Sequence, residues 1–369
     1  MRDRTTQRIA AIGGAIALAL AAVVGAAQKS DAPPPPAYGV EVLWEQPVAF
    51  SGAAHVIAGA SFVFLVSAET GLAAYSPLDG HAVWSSSLTS ALRPSAAGSH
   101  VAVVSNGSLH VLNHETQAPV WTADVGPNTS ALFAVRNRFG AVIGQDIRLW
   151  STDGSSNWHT TLPGAPVTRV VSHSGLLFVG VDDPSAGSAL VALDDTTGAI
   201  RWQLALKTRP ESLAATDDRL YFSGSDAALH SVRTTGQAGD EWRFPLLGAI
   251  GDPVADDRQV YFALRDNSIR AFERQGGSLR WDRPVAHRPA AGPMRMGSNL
   301  VVALANGAVV EILTSKDGPV VAPKVPVTRP PVRLQGAAIS PDATRVFTLT
   351  IAGNTAQKLS AWGHPPEKH

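Results

Sequence analysis

The sequence contains no cysteine. That removes disulfides, thiolate metal sites, cysteine nucleophiles and a lipidated N-terminal cysteine together. Charge is also scarce. Only 16% of residues are Asp, Glu, Lys or Arg, and the 30 basic side chains balance the 30 acidic ones. A neutral chain offers no electrostatic footprint for nucleic acid, so no nucleic-acid partner is expected. Sustained helical periodicity is missing after residue 30. A hydrophobic content of 45% still excludes intrinsic disorder, and 369 residues suffice for one large repeat domain or two ordinary ones.

One long apolar run is present, at the start. Arg2, Arg4 and Arg8 precede "IAAIGGAIALALAAVVGAA", residues 9–27, which end in small residues suited to a signal peptidase. The run is long for a signal and just long enough to span a bilayer. Residues 1–27 therefore read as either a cleaved signal peptide or a retained membrane anchor. In both cases the arginines stay inside and the rest is exported, to the periplasm or another extracytoplasmic space. Residues 28–39 carry four consecutive prolines and read as a stiff linker. Residues 40–363 form the folded domain and 364–369 a short tail.

Internal repetition dominates that domain. Tryptophans stand at 44, 84, 121, 158, 202, 242 and 281, at spacings of about 40 residues. Two further registers run in phase with them. Short apolar runs recur eight times, from "LAAYS" at Leu72 and "LHVLN" at Leu109 to "VVEIL" at Val309 and "LSAWG" at Leu359. Turn-plus-β runs also recur eight times, from "GASFVFLVS" at Gly59 to "PDATRVFTL" at Pro341. Each unit thus holds about four short β-runs separated by Gly, Asp, Asn and Ser turns. Four strands per 40 residues make a propeller blade, and a ring of blades protects its sheet edges. The expected fold is all-β: an eight-bladed propeller with four antiparallel strands per blade. The eighth unit lacks a tryptophan strand, while "VEVLWEQPV" at 40–48 is a tryptophan strand without a blade. The N-terminal strand is therefore expected to complete the last blade, with Trp44 in its tryptophan position. In the unit after Val309, Val321 or Ala322 stands where the tryptophan would be.

The clearest copy of the repeat is "ALDDTTGAIRW", residues 192–202. Asp194 and Thr197 can satisfy turn amides, and Gly198 can take the positive φ that a tight hairpin needs. Trp202 then enters the outermost strand, where its indole is too large for one blade and must pack into the seam with a neighbour. Gly80 with Trp84 and Gly277 with Trp281 repeat the spacing. Trp44, Trp84, Trp121, Trp158, Trp202, Trp242 and Trp281, with Gly80, Gly198 and Gly277, are the expected structural docking set. "VLNHETQAPVW" has Gln117 in place of the glycine, and the units ending at Trp158 and Trp242 change their turn length.

Ala-x-Asp-x-x-x-Gly-x-x-x-Trp resembles the tryptophan-docking repeat of the pyrroloquinoline-quinone (PQQ)-type propellers. Ala192, Asp194, Thr197, Gly198 and Trp202 match it in full, and the resemblance covers residues 40–363. An exported single propeller of this size is similar to the BamB family. Members of that family are scaffolds in the machinery that inserts β-barrels into the bacterial outer membrane, binding the periplasmic domains of its core barrel subunit. The resemblance implies a non-catalytic scaffold with protein partners in outer-membrane assembly, and no cofactor. Without a cysteine for a lipid anchor, retention at the membrane would fall to an uncleaved N-terminal segment. The alternative reading is a propeller that binds PQQ or another small ligand in its central funnel, as enzyme or sensor. Against it, the adjacent cysteine pair of many PQQ dehydrogenases and the haem motif C-x-x-C-H are absent.

No catalytic or metal constellation stands out. His110 and His114 are four apart on a strand and its turn, not on a helix. His110 and His230 share a repeat position, expected near solvent. The doublets Asp182-Asp183, Asp194-Asp195, Asp217-Asp218 and Asp256-Asp257 fall in turns, where aspartate is common for local reasons. "VDDPSAGSA" at 181–189 lengthens one unit and reads as a plain long turn. Residues 315–336 are proline-rich and read as an irregular bridge before the last blade. Convergent carboxylates or histidines at the inner ends of the first strands would favour the ligand-binding alternative.

Overall fold

The computed structural model describes residues 39–365, apart from 238, 240, 247, 316, 323–331, 354 and 355. The leader, most of the linker, the end of the tail and the centre of the proline-rich stretch lie outside the described residues. The described residues form strands and turns, without a helix. Eight antiparallel sheets follow one another along the chain and make an eight-bladed propeller. Blade 1 spans residues 54–86, blade 2 95–124, blade 3 129–161 and blade 4 165–206. Blade 5 spans 214–245, blade 6 249–284, blade 7 289–321 and blade 8 332–363 together with 41–48. In blade 1 the order from channel to rim is Ala54–Ala58, Val63–Ser67, Gly71–Tyr75 and Ala82–Ser86.

The two middle strands of a blade read as continuous apolar runs because both of their faces are covered. Every residue of Val63–Ser67 and Gly71–Tyr75 is buried. Alternate side chains go to opposite seams. Val63 and Leu65 meet Phe347 and Leu349 of blade 8, whereas Phe64 and Val66 meet Val101 and Val103 of blade 2. The apolar interior is accordingly divided into eight clusters, one per seam. Full burial of one leucine or phenylalanine contributes roughly 1.5–3 kcal/mol. Stability is therefore distributed around the ring, as in repeat proteins generally.

The ring closes as the unpaired tryptophan strand predicts. Glu41–Val48 lies antiparallel to Ala356–Gly363, pairing Val42 with Trp362, Trp44 with Ala361 and Val48 with Gln357. Lys358 holds Glu45 at 2.9 Å, and the Gln357 side chain donates to the Gly52 carbonyl at 2.9 Å. The last blade thus contains both ends of the folded domain. Residues 315–336 are not irregular throughout. Val320–Val321 pairs with Glu311 and Ile312, and the stretch ends within the inner strand Val332–Ile339. Val321, opposite Glu311, occupies the position that Trp281 holds opposite Ala271 in blade 6.

Candidate functional site

The seams set where the blades point. Seven indoles each donate from Nε1 to a backbone carbonyl on the following blade. Trp44 reaches Pro77 at 3.1 Å, Trp84 reaches His114 at 2.9 Å and Trp121 reaches Thr152 at 3.0 Å. Trp158 reaches Asp195 at 3.3 Å, Trp202 Thr234 at 2.9 Å, Trp242 Arg274 at 2.9 Å and Trp281 Thr314 at 3.3 Å. Each acceptor lies in the turn between the third and fourth strands of the receiving blade. The indole's polar edge is satisfied while its rings are buried or half-buried, as a tryptophan requires.

The turn glycines have a second task that the sequence pattern did not reveal. Gly80 lies against Trp44 of blade 8, Gly198 against Trp158 of blade 3 and Gly277 against Trp242 of blade 5. A methyl group at Gly198 would stand 2.5 Å from the Trp158 ring. So the glycine of one motif receives the tryptophan of the preceding motif. Gly154 and Gly236 do the same for Trp121 and Trp202, in the two units whose turns differ in length. Gln117 replaces the glycine in blade 2 and adopts φ of 62°. The seam between blades 7 and 8 has Val321 in place of an indole. Fully buried Val40 and nearly buried Trp362 fill it instead.

The acidic doublets hold turns and seams together. Asp194 accepts the Thr196 and Thr197 amides at 3.0 and 2.8 Å, and Arg201 approaches it at 2.6 Å. The Arg201 bond and then those amides hold its carboxyl well below the usual range. Asp195 is almost fully buried, with Arg138 and Arg136 of blade 3 at 3.6 and 3.4 Å. Asp183 accepts the Ser185 and Ala186 amides, closing a hairpin whose strands Leu176–Asp183 and Gly187–Asp194 stay paired to the tip. Asp217 takes His173 at 2.7 Å and Asp256 takes Tyr261 at 2.5 Å. His230 departs from the expectation for its repeat position. It is buried, stacked on Phe222 at 4.7 Å, with Asp226 at 3.1 Å. A strand residue beside a hairpin aspartate and a ring can leave solvent while keeping a polar partner. Among the described residues no group of three or more His, Asp or Glu side chains gathers as metal ligands would.

The inner strands enclose a channel of about 1260 Å³, joined to a side compartment of about 460 Å³ between blades 1 and 4. Glu211 and Asp252 do line it, but so do Arg93, Arg169, Arg209 and Arg265. Arg169 of blade 4 reaches over blade 5 to pair with Asp252 of blade 6. Asp252 also accepts the Leu213 amide at 3.2 Å. Arg209 sits 3.6 Å from Asp182 at the tip of the long blade 4 hairpin. Arg93 is exposed along the channel, yet the surrounding blades and then the nearby Arg169 guanidinium lower its pKa below the ordinary arginine value. These arginines carry no motif, so inspection of the sequence did not single them out. Their signal is phase. Arg93, Arg169 and Asp252 each stand eight residues before the second residue of the strand paired outside the blade's inner edge, Val101, Leu177 and Val260.

The radial sheets, the indole-on-glycine seams and the closing N-terminal strand define a PQQ-type eight-bladed β-propeller. The family model for "Outer membrane protein assembly factor BamB" matches residues 68–214 and 151–333. The chain belongs to that family. A curated relative, the outer membrane protein assembly factor BamB of Yersinia pestis, is 23% identical over 242 residues, 55% of this chain. That match spans 61% of the relative's own length. Among solved structures, BamB from Moraxella catarrhalis superposes with a TM-score of 0.65 at 15% identity, covering 89% of this chain and 99% of that one. The computationally designed Ika8 protein gives 0.69 at 12% identity, covering 88% and 99%. At such identities the structural likeness speaks for the fold.

Proposed function

We propose that this chain is an exported, non-catalytic scaffold that contributes to assembly of β-barrel proteins in the outer membrane. The observation that carries this reading is the family match over residues 68–333, on a ring whose blades the structure describes one by one. The relatives' printed role supplies the process. The geometry supplies a means. A ring held by buried seams presents its hairpin tips and blade-linking loops as two broad, fixed rims for protein contacts. Asp183, Asp194, Asp195, Asp217 and Asp256 support the same reading, since their carboxylates are engaged in turns and seams. Residues 1–27 would direct export, as a cleaved signal or a retained anchor, and no cofactor is required.

The test is chemical crosslinking in native membranes followed by affinity capture of the full chain. Outer-membrane assembly components should be recovered, and cells lacking the protein should show reduced levels of outer-membrane barrels. Recovery of none of these components, with barrel levels unchanged, would overturn the proposal.

A further inference from the structure

The channel is more than a gap between sheets. Eight inner strands reach it, and their pairing registers assign a common level around its wall. Ala96 pairs with Val101, Ser172 with Leu177 and Ala255 with Val260. Three residues earlier along the chain come Arg93, Arg169 and Asp252. The same step falls on Ala131 in blade 3, Ser212 in blade 5, Gly292 in blade 7 and Gly336 in blade 8. In blade 1 Val63 pairs with Ala58, so it falls on His55, whose ring bonds the Ala91 carbonyl at 2.9 Å. Charge therefore stands on blades 2, 4 and 6, small residues stand on blades 3, 5, 7 and 8, and an imidazole stands on blade 1.

That alternation explains the contacts. Ser212 is short enough for Arg169 to pass over blade 5 and meet Asp252. Ala131 leaves the corresponding space between Arg93 and Arg169 open. Asp252 serves Arg169 and the Leu213 amide, whereas Arg93 donates to no described residue. Arg265, farther along the wall, donates no side-chain hydrogen bond to a described residue either. The lining thus carries four guanidiniums against two carboxylates. A guanidinium crowded by protein and by a second guanidinium is short of counter-charge. Behind Arg93 and Arg169 the side compartment is walled by Ile57, Ala131, Leu132, Phe133 and Val171. Its volume is within the range of small-molecule pockets.

We propose that the channel binds a small organic anion. A carboxylate or phosphate head would lie between Arg93 and Arg169, and a compact apolar body would occupy the side compartment. Arg93 offers the planar fork that matches either oxyanion. Arg169 contributes its charge while remaining tied to Asp252. The ligand is a small molecule rather than a partner's side chain because the site lies inside the ring wall, with a mostly apolar compartment beside it.

Isothermal titration calorimetry on the purified full chain tests this, with inorganic phosphate, phenyl phosphate and hexanoate as probes. Phenyl phosphate or hexanoate should bind saturably at one site, and inorganic phosphate more weakly because it leaves the compartment empty. Loss of one charge-assisted contact weakens binding by about tenfold or more. Arg93→Met should show that loss. Arg280→Gln, which removes a guanidinium from an exposed outer strand, should bind as the parent does. Ala131→Asp sets a carboxylate at the level of the two arginines without removing a native contact, and it should weaken binding at least as much. The two variants change different blades, so a folding failure in one leaves the other as the test. No saturable heat with any probe, or unchanged affinity in whichever folded variant is measured, would overturn the proposal.

Discussion

At the scale of single residues, the pivotal contact is an indole resting on a glycine one blade away. Two demands meet at Gly198. Its φ of 73° belongs to the region that disfavours side chains, and its missing Cβ leaves room for Trp158. Gly175 separates the two demands, because its φ is 82° but nothing lies within 4 Å of the position a Cβ would take. Gly198→Ala should therefore lower the melting temperature clearly more than Gly175→Ala, the difference reporting the seam contact. Trp158→Ala removes a buried ring and its hydrogen bond, and should destabilise by about 3–5 kcal/mol. Denaturant titration of the three variants measures both effects. Equal losses for the two glycines would show that backbone strain alone governs the turn. The sequence pattern did show the spacing of the tryptophans and of Gly80, Gly198 and Gly277. It did not disclose that Gly198 serves Trp158 rather than Trp202, because a motif written along one chain segment cannot show which blade lies beside it.

At the scale of elements, polar side chains complete what hairpins begin. Asp226, at the turn between the second and third strands of blade 5, joins His230 of the third strand to Arg243 of the fourth. It lies 3.1 Å from His230 and 2.8 Å from Arg243. Partial burial pushes its pKa up, but His230 and Arg243 outweigh that and bring it down to about 2. An unfolded aspartate titrates near about 3.9. Because the folded value is the lower one, the contribution is fully present above pH 4 and is lost as pH falls through about 2. Asp226→Asn should therefore be less stable than the parent at neutral pH, with the gap narrowing below pH 4. Thermal melts across that pH range give the answer, and a gap constant with pH would remove the carboxylate from the account. Hairpin aspartates such as Asp194 were legible in the sequence, since they act within three residues of themselves. The burial of His230 was not, because it depends on stacking against Phe222 in the neighbouring strand.

At the scale of the whole molecule, closure converts eight separate sheets into one ring. Glu45 and Ser360 are directly paired across the closing strands. Directly paired antiparallel positions fall within disulfide reach, and the chain has no native cysteine to compete. Glu45→Cys combined with Ser360→Cys should form a bridge that raises the melting temperature under oxidising conditions, with the gain lost on reduction. The sacrificed surface pair of Lys358 with Glu45 is worth no more than about 1 kcal/mol. Failure of the two thiols to oxidise together would place residues 41–48 away from blade 8. Closure also creates the channel, where Arg93, Arg169 and Asp252 come within reach of one another from three blades.

The amino-acid sequence by itself determined the number of blades, the strand count in each and the strand that seals the ring. Those follow from local rules: turn residues fix hairpins, two-sided burial demands apolar middle strands, and an unmatched tryptophan strand needs a partner. Only the tertiary structure decided which glycine receives which indole, that Val40 and Trp362 fill the seam lacking one, and that arginines line the channel. Those outcomes depend on side chains from different blades meeting in space. The radial geometry of the ring sets those meetings, and no spacing along a single repeat records them.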